Sequence, residues 1–320
     1  MQFEFSPQQL DAQFARVRTA VLVGHIQPDA DCLGSLTAFA PYLESRGCAV
    51  TLYCATPAPA RLQFLPGVSR LRTTAPGPYD AVVVLDCGDL KHACVTPAQL
   101  AHWSPRLVVN IDHHQTNTRY GDINLVQPTA ASATEILYHY FRALDFLVTP
   151  QVATSLLAGI VGDTGGFYHS NTSPAVLNAA AELVAAGASL PALFSIAFGD
   201  KTVPALQRWG PVLSRITIHP RYQVALAVIT RADLSGLPDE AAAASGMANF
   251  LNTLDGVRAV VVLVEQADGT IRGSLRARDP LLDVAKFATL CGGGGHKLAA
   301  GFAIKGRLQE TPQGWKVVAG

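Results

Sequence analysis

The chain has no surplus of charge of either sign. Its 24 Lys and Arg balance 24 Asp and Glu over 320 residues, which argues against a protein that grips long nucleic acid by neutralising many phosphates. A short phosphorylated ligand held by a few basic side chains stays compatible with that balance. Apolar runs long enough to cross a bilayer are also missing, because charge, proline or glycine interrupts each one. The opening MQFEFSPQQLDAQFARV lacks the basic-then-apolar layout of a secretion signal. The six cysteines (Cys32, Cys48, Cys54, Cys87, Cys94 and Cys291) form no CxxC pair and no dense framework, so they read as reduced structural thiols. Internal repeats and low-complexity tails are absent. These absences together lead us to expect a soluble, cytoplasmic protein.

What the chain does have is apolar material. Hydrophobic residues make up 49% and charged residues 15%, enough for two cores of ordinary size. Short apolar runs that end in Gly, Pro or Asp alternate with longer Ala/Leu-rich stretches, the pattern of parallel βα units. Strands are expected at 20–24, 49–54, 81–86, 107–111 and 123–126, and helices at 33–46, 132–145, 150–162 and 174–187. The strands lack polar alternation, as expected where helices cover both faces of a sheet. Beyond residue 196 the texture changes. A connecting helix with a proline break is followed by alternating β-branched runs at 216–230 and 259–266 and by GTIRGSLRARD. The fold class is therefore α/β, with a parallel-sheet domain over 1–195, a linker at 196–214 and a smaller mixed α+β domain over 215–320. The Pro- and Gly-containing stretch 199–211 would permit a hinge.

Titratable residues collect at the ends of these elements. The first strand runs into HIQPDADCLGS, placing His25, Asp29 and Asp31 in the loop at its carboxyl end, where α/β folds put their ligand sites. The strand at 81–86 ends on Asp86, the strand at 107–111 runs into Asp112-His113-His114, and the helix at 150–162 exits through GIVGDTGGF at Asp163. Each has an ordinary explanation when taken alone. Asp29 could cap the next helix, Asp86 could form a turn, and His25 could be a structural histidine. Parallel strands, however, share one carboxyl edge, so the groups converge, and only a cation makes such a cluster of carboxylates tolerable. Mixed His/Asp ligation suits Mn²⁺, Zn²⁺ or Fe²⁺ better than Ca²⁺. Two such ions about 3.5–4 Å apart, sharing a carboxylate, are a standard device for activating water against phosphorus. His92, His102, His139, His169 and His219 lack such company and read as surface or structural.

The second signal is CGGGGHKLAAGF at 291–302. Four successive glycines suit a site where backbone amides approach an anion, and the following KLAAGF is expected to open a helix whose N-terminus favours phosphate. His296 could then donate to a phosphate oxygen, and Arg276 could reach the same place with its planar guanidinium. Arg278 could equally be a solvated charge.

HIQPDADCLGS, VVLDCGD, NIDHHQTN and GIVGDTGGF resemble, in order, the four motifs of the DHH phosphoesterase superfamily. GSLRARD followed by GGGGHKLAAGF resembles its DHHA1 domain. The resemblance covers nearly the whole chain and is nearest to the compact bacterial oligoribonuclease–pAp phosphatases, the nanoRNases. It implies an active site in the cleft between a DHH and a DHHA1 domain and two Mn²⁺ ions per site, with Mg²⁺ or Co²⁺ as substitutes. The first ion would be held by His25, Asp29 and Asp86, and the second by Asp31, Asp86, His113 and Asp163, with Asp86 as the bridge. It further implies that His114 faces the scissile phosphate and that Asp112 supports the ligands. Arg276, Ser274, His296, Gly292, Gly293, Gly294 and Gly295 would bind substrate. The implied partners are short single-stranded RNA or DNA oligonucleotides and 3′-phosphoadenosine 5′-phosphate (pAp), with no membrane, and the chain acting as monomer or homodimer. RecJ-type exonucleases resemble this arrangement but add an oligonucleotide-binding domain. Family II pyrophosphatases carry a different phosphate-binding motif, and membrane-tethered cyclic-dinucleotide phosphodiesterases add transmembrane and sensory segments.

Overall fold

A computed structural model of the chain describes residues 6–190, 193, 203–236, 246–312 and 314–318. The chain divides into two compact units, Met1–Gly199 and Asp200–Gly320. Among the described residues, no helix is long and apolar enough to cross a membrane. Residues 196–202 of the expected linker lie outside the described residues, as do 199–202 of the expected hinge.

Six strands form one parallel sheet in the first unit: β1 (Thr19–Val23), β2 (Ala49–Tyr53), β3 (Leu71–Arg72), β4 (Ala81–Leu85), β5 (Leu107–Asp112) and β6 (Ile123–Val126). Their order across the sheet is β3-β2-β1-β4-β5-β6. β1 and β4 are hydrogen-bonded neighbours in register from Ala20↔Ala81 to Val23↔Val84. The order reverses between them, and at such a reversal the flanking loops part and open a crevice at the carboxyl edge. Both faces of the sheet are covered. Ala20, Leu22, Ala81 and Val83 pack into one core with Leu36, Phe39 and Leu156, while Val21, Val23, Val82 and Val84 pack into another with Tyr53 and Trp103. That is why these strands carry no polar alternation.

The helices of this unit are α1 (Pro7–Phe14), α2 (Ala30–Glu44), α3 (Pro97–Trp103), α4 (Ala133–Ala143), α5 (Pro150–Asp163) and α6 (Pro174–Ala185). α1 and α3 were not expected from the apolar pattern. Both are short, and both are announced by a cap, Ser6 or Thr96, followed by proline. α2 begins earlier than expected, so Asp31 lies in its first turn and not in the loop. The cause is Asp29, whose side chain accepts hydrogen bonds from the Asp31 and Cys32 amides and starts the helix there. α2 and α5 approach closely at two glycines: a Cβ at Gly34 would fall on the Ser155 carbonyl.

The second unit has a mixed sheet built from β7 (Thr217–His219), β8 (Val224–Ile229), β9 (Ala259–Glu265), β10 (Thr270–Ala277), β11 (Gly294–His296) and β12 (Ala299–Lys305). Their order is β11-β12-β10-β9-β8-β7, with β8 and β9 parallel and the other pairings antiparallel. A separate hairpin joins β13 (Arg307–Thr311) and β14 (Gly314–Val318). Its helices are α7 (Val203–Ser214, with Pro211 inside), α8 (Arg231–Leu234), α9 (Met247–Leu251) and α10 (Val284–Leu290).

The glycine run departs from expectation, because KLAAGF does not open a helix. His296 closes β11 and Ala299–Lys305 form β12, so the segment is a β-hairpin with Gly295 opposite Ala300. The glycines have local reasons to be there. Gly292 takes a left-handed conformation just past α10, where its amide bonds Thr289 O and that of Gly293 bonds Ala288 O, which ends the helix. A Cβ on Gly293 or Gly295 would strike the facing strand at Gly301, Phe302 or Ala300. Four glycines in sequence look the same whether they cradle an anion or let two strands meet.

Candidate metal centre

The sheet delivers the candidate residues to one edge. His25 follows β1, Asp86 follows β4, Asp112 ends β5 with His113 and His114 behind it, and Asp163 ends α5. Within the first unit, three groups of described residues have ligand-capable atoms within 4.8 Å of one another: His25, Asp29 and Asp86; Asp31, His113 and Asp163; and Asp86, Asp112, His113 and His114. All six expected metal-binding residues of the first unit are therefore brought together.

Asp86 stands between the groups. Its Oδ2 lies 3.5 Å from His25 Nε2, and its Oδ1 lies 3.4 Å from His113 Nε2. The residue is buried and its backbone is left-handed, with φ 56°, an uncommon conformation for a non-glycine residue and one that clusters at functional sites. His113 Nε2 also lies 3.3 Å from Asp163 Oδ2 and 3.9 Å from Asp31 Oδ2. The other nitrogen of each imidazole is committed elsewhere. His25 Nδ1–H donates to Ile26 O at 2.8 Å and His113 Nδ1–H to Ala130 O at 3.4 Å. Such bonds fix the tautomer that turns Nε2 toward the carboxylates, as metal-ligating histidines require.

Asp31 is held by the start of α4. Its Oδ2 accepts from the Ala133 amide at 2.6 Å, and its Oδ1 accepts from the Thr134 amide at 3.0 Å and the Thr134 hydroxyl at 2.6 Å. A helix N-terminus is a favourable seat for a carboxylate. Gly159 completes the seat from α5, since a Cβ there would fall on Asp31 Oδ1 and Thr134 Oγ1.

Protein charges alone leave this cluster in conflict. Burial and the charge of Asp86 push Asp31 up to about 7, and burial together with Asp31 raises Asp163 well above the carboxylate range. Burial also works against ionisation of Asp86, but the imidazoles of His113 and His25 that face it outweigh burial and hold that carboxyl well below its ordinary value. Burial opposes protonation of His25 and His113, yet the carboxylates facing them raise both imidazoles well above theirs. A divalent cation fits the donor set. Asp86 Oδ1 is buried with no hydrogen-bond partner among the described residues, a condition that is costly unless a positive charge compensates it.

His114 and Asp112 form a linked pair beside the cluster. His114 Nδ1–H donates to Asp112 Oδ1 at 2.7 Å, and Asn117 Nδ2–H donates to Asp112 Oδ2 at 2.5 Å and to Asn110 Oδ1 at 2.8 Å. Burial works against the Asp112 anion, but His114 and Asn117 hold it below the usual carboxylate range. Asp112 in turn outweighs the burial of His114 and raises that imidazole.

Two histidines read from the sequence as surface or structural lie beside the cluster. The ring of His92 stacks on that of His25, with centroids 5.1 Å apart and planes 28° apart. His169 Nδ1–H donates to the carbonyl of Asp163 at 3.0 Å. Thr134, Asn117 and Gly159 likewise gave no signal in the sequence, because each acts through a partner distant in the chain or through a missing side chain. In the second unit, Arg276 and Ser274 lie on β10, where Arg276 Nε–H donates to Asn249 Oδ1 at 2.7 Å and Nη1–H to Leu275 O at 2.9 Å. Arg278 Nη1–H donates to Leu254 O at 3.2 Å.

The family model described as the DHH family, N-terminal domain, matches residues 19–160, and that of the DHHA1 domain matches residues 225–313. The bifunctional oligoribonuclease and PAP phosphatase NrnA of Thermus thermophilus is 30% identical over 287 residues, which are 88% of this chain and 83% of that protein. The chain belongs to the DHH family. A second relative, the bifunctional oligoribonuclease and PAP phosphatase NrnA of Bacillus subtilis, is 27% identical over 89% of this chain and 89% of its own length. Among solved structures, an exopolyphosphatase-related protein from Bacteroides fragilis superposes with a TM-score of 0.83 at 21% identity, covering 92% of this chain and 90% of that one. That likeness speaks to the fold.

Proposed function

We propose that this DHH-family protein is a metal-dependent phosphoesterase that degrades short 5′-phosphorylated oligonucleotides to mononucleotides and converts pAp to AMP. One observation carries the reading: the motif residues His25, Asp29, Asp31, Asp86, His113 and Asp163 gather at the carboxyl edge of one sheet in a chain similar to NrnA proteins over most of its length. In this proposal residues 1–195 carry catalysis and residues 215–320 bind substrate. The absence of net charge on the chain suits a short substrate better than a long one. The six unpaired thiols suit a cytoplasmic setting.

His25, Asp29 and Asp86 would hold one divalent ion, and Asp31, Asp86, His113 and Asp163 a second, with Mn²⁺ the choice this mixed donor set favours. When bound, such ions supply a water of lowered pKa and polarise the phosphoryl oxygens. The protein's own groups do the rest. Asp112 favours the imidazolium form of His114 and fixes its plane, so that Nε2–H can donate to a phosphoryl oxygen as negative charge develops. Asn117 holds Asp112 in that role from the far side. Thr134 and the start of α4 keep Asp31 in place. Arg276, Ser274, His296 and Gly292–Gly295 of the second unit would bind the remaining phosphate and sugar of the substrate.

The test is a time course with Mn²⁺ on 5′-phosphorylated RNAs from dinucleotides upward, with pAp and pyrophosphate alongside. Rapid loss of the shortest RNAs and of pAp, with pyrophosphate spared, is expected. Equal attack on long strands, or hydrolysis of pyrophosphate alone, would refute the substrate assignment.

A further inference from the structure

The loop after β4 carries His92 back over the start of the loop after β1. Its backbone is fixed on both sides: the Ile26 amide donates to His92 O at 3.0 Å, and the His92 amide donates to Asp89 Oδ1 at 2.6 Å. The ring is fixed as well, lying against His25 with centroids 5.1 Å apart. Yet the residue is exposed, and neither ring nitrogen has a hydrogen-bond partner among the described residues. No cation-capable group among those residues includes His92. A pinned imidazole with unengaged nitrogens contributes little to stability from an exposed position. At the carboxyl edge of the sheet it is well suited to an anion, because either tautomer keeps one N–H donor.

We infer that His92 is a substrate-contacting residue of this centre, whose ring N–H donates to a phosphoryl oxygen of the nucleotide while His25 holds the ring in place. The chemical class recognised is a phosphate monoester or diester on a short nucleotide. The inference rests on the phosphoesterase reading above and adds to it a contact from outside the metal motifs.

Three variants of the full-length chain test it: His92→Ala, His92→Gln, which keeps an N–H donor, and His92→Phe, which keeps a ring against His25. Steady-state kinetics on pAp with Mn²⁺ are paired with calorimetric titration of Mn²⁺ alone. His92→Ala and His92→Phe are expected to raise KM about tenfold or more, the effect of losing one hydrogen bond to a charged group. Mn²⁺ affinity should be unchanged in both, and His92→Gln should recover most of the loss. The inference is overturned if His92→Phe matches the wild type in KM. It is also overturned if His92→Ala weakens Mn²⁺ binding and His92→Phe restores it, since the ring would then serve only to orient His25. Should His92→Ala fail to fold, His92→Phe retains the stacked ring and decides the matter. Wild-type protein inert on both pAp and short RNA would refute the phosphoesterase reading itself, whereas wild-type turnover with an unaffected His92→Phe would refute only the contact.

Discussion

The Cα of Gly159 packs directly against the carboxylate of Asp31, so closely that a methyl group there would overlap Asp31 Oδ1 and Thr134 Oγ1. Neither neighbour can yield easily. Asp31 is tied to the first turn of α4, and Thr134 belongs to that turn. Gly159→Ala is therefore expected to destabilise the protein by about 1–3 kcal/mol, the usual result of overpacking a tight interior, and to weaken Mn²⁺ binding. Thermal melting and metal titration of the same variant check both parts. A variant as stable as the wild type would show that α2 and α5 can move apart.

Asp86→Asn keeps the shape of the side chain and removes its charge. Both ion sites in the proposed arrangement draw on this residue, so turnover of pAp should fall by roughly a thousandfold or more, corresponding to several kcal/mol of lost transition-state stabilisation. Calorimetry should show reduced Mn²⁺ stoichiometry as well as reduced affinity. Loss of activity with both ions still bound would remove Asp86 from its bridging role.

Asp112→Asn should leave metal binding nearly intact and lower kcat by about a hundredfold, the low end of what a correctly protonated and oriented histidine contributes. The amide can still meet His114, but it no longer favours the imidazolium. Kinetics set beside metal titration separate this outcome from a structural one, in which both would fall together.

Chelator-treated protein should respond to pH in the opposite sense from most proteins rich in acidic ion pairs. Asp31, pushed up to about 7 by burial and by the charge of Asp86, and the raised His25 and His113 all bind protons more tightly folded than unfolded. Their contribution to stability is present at low pH and is lost as pH rises through neutrality. Melting temperature with chelator should therefore fall between about pH 6 and pH 8. Added Mn²⁺, which needs the deprotonated carboxylates and neutral imidazoles, should stabilise most at the upper end. A chelated protein more stable at the higher pH would contradict the arrangement of charges described.

The sequence announces this site more clearly than it announces the elements around it. Strands buried on both faces appear as plain apolar runs, and the acid or histidine that ends each run stands out. Asp86 and the Asp112-His113-His114 triplet were therefore visible at once. His92 was not, because what gives it a place is the fold of its loop onto Ile26 and His25, a relationship with no trace in local sequence. The segment after the glycines was misread for a related reason. KLAAGF has the composition of a helix, but pairing with β10 from Arg276↔Ala299 to Thr270↔Lys305 makes it a strand, and tertiary context overrides propensity. Asp29 has two explanations competing for it, and the geometry is compatible with both: it caps α2 while facing His25, with 3.6 Å between Oδ1 and Nε2.

The strand order has a consequence for assembly. The residues from His25 to Asp163 meet only after every crossover of the sheet has closed, and β1 and β4 become neighbours across the reversal that creates the crevice. No single βα unit contains a working subset of them. A metal ion that binds here therefore recognises the finished sheet and none of its fragments, so it draws on the stability of the whole unit. Slow proteolysis with and without Mn²⁺ should accordingly protect the first unit as a block, from β1 through α5, and not loop by loop.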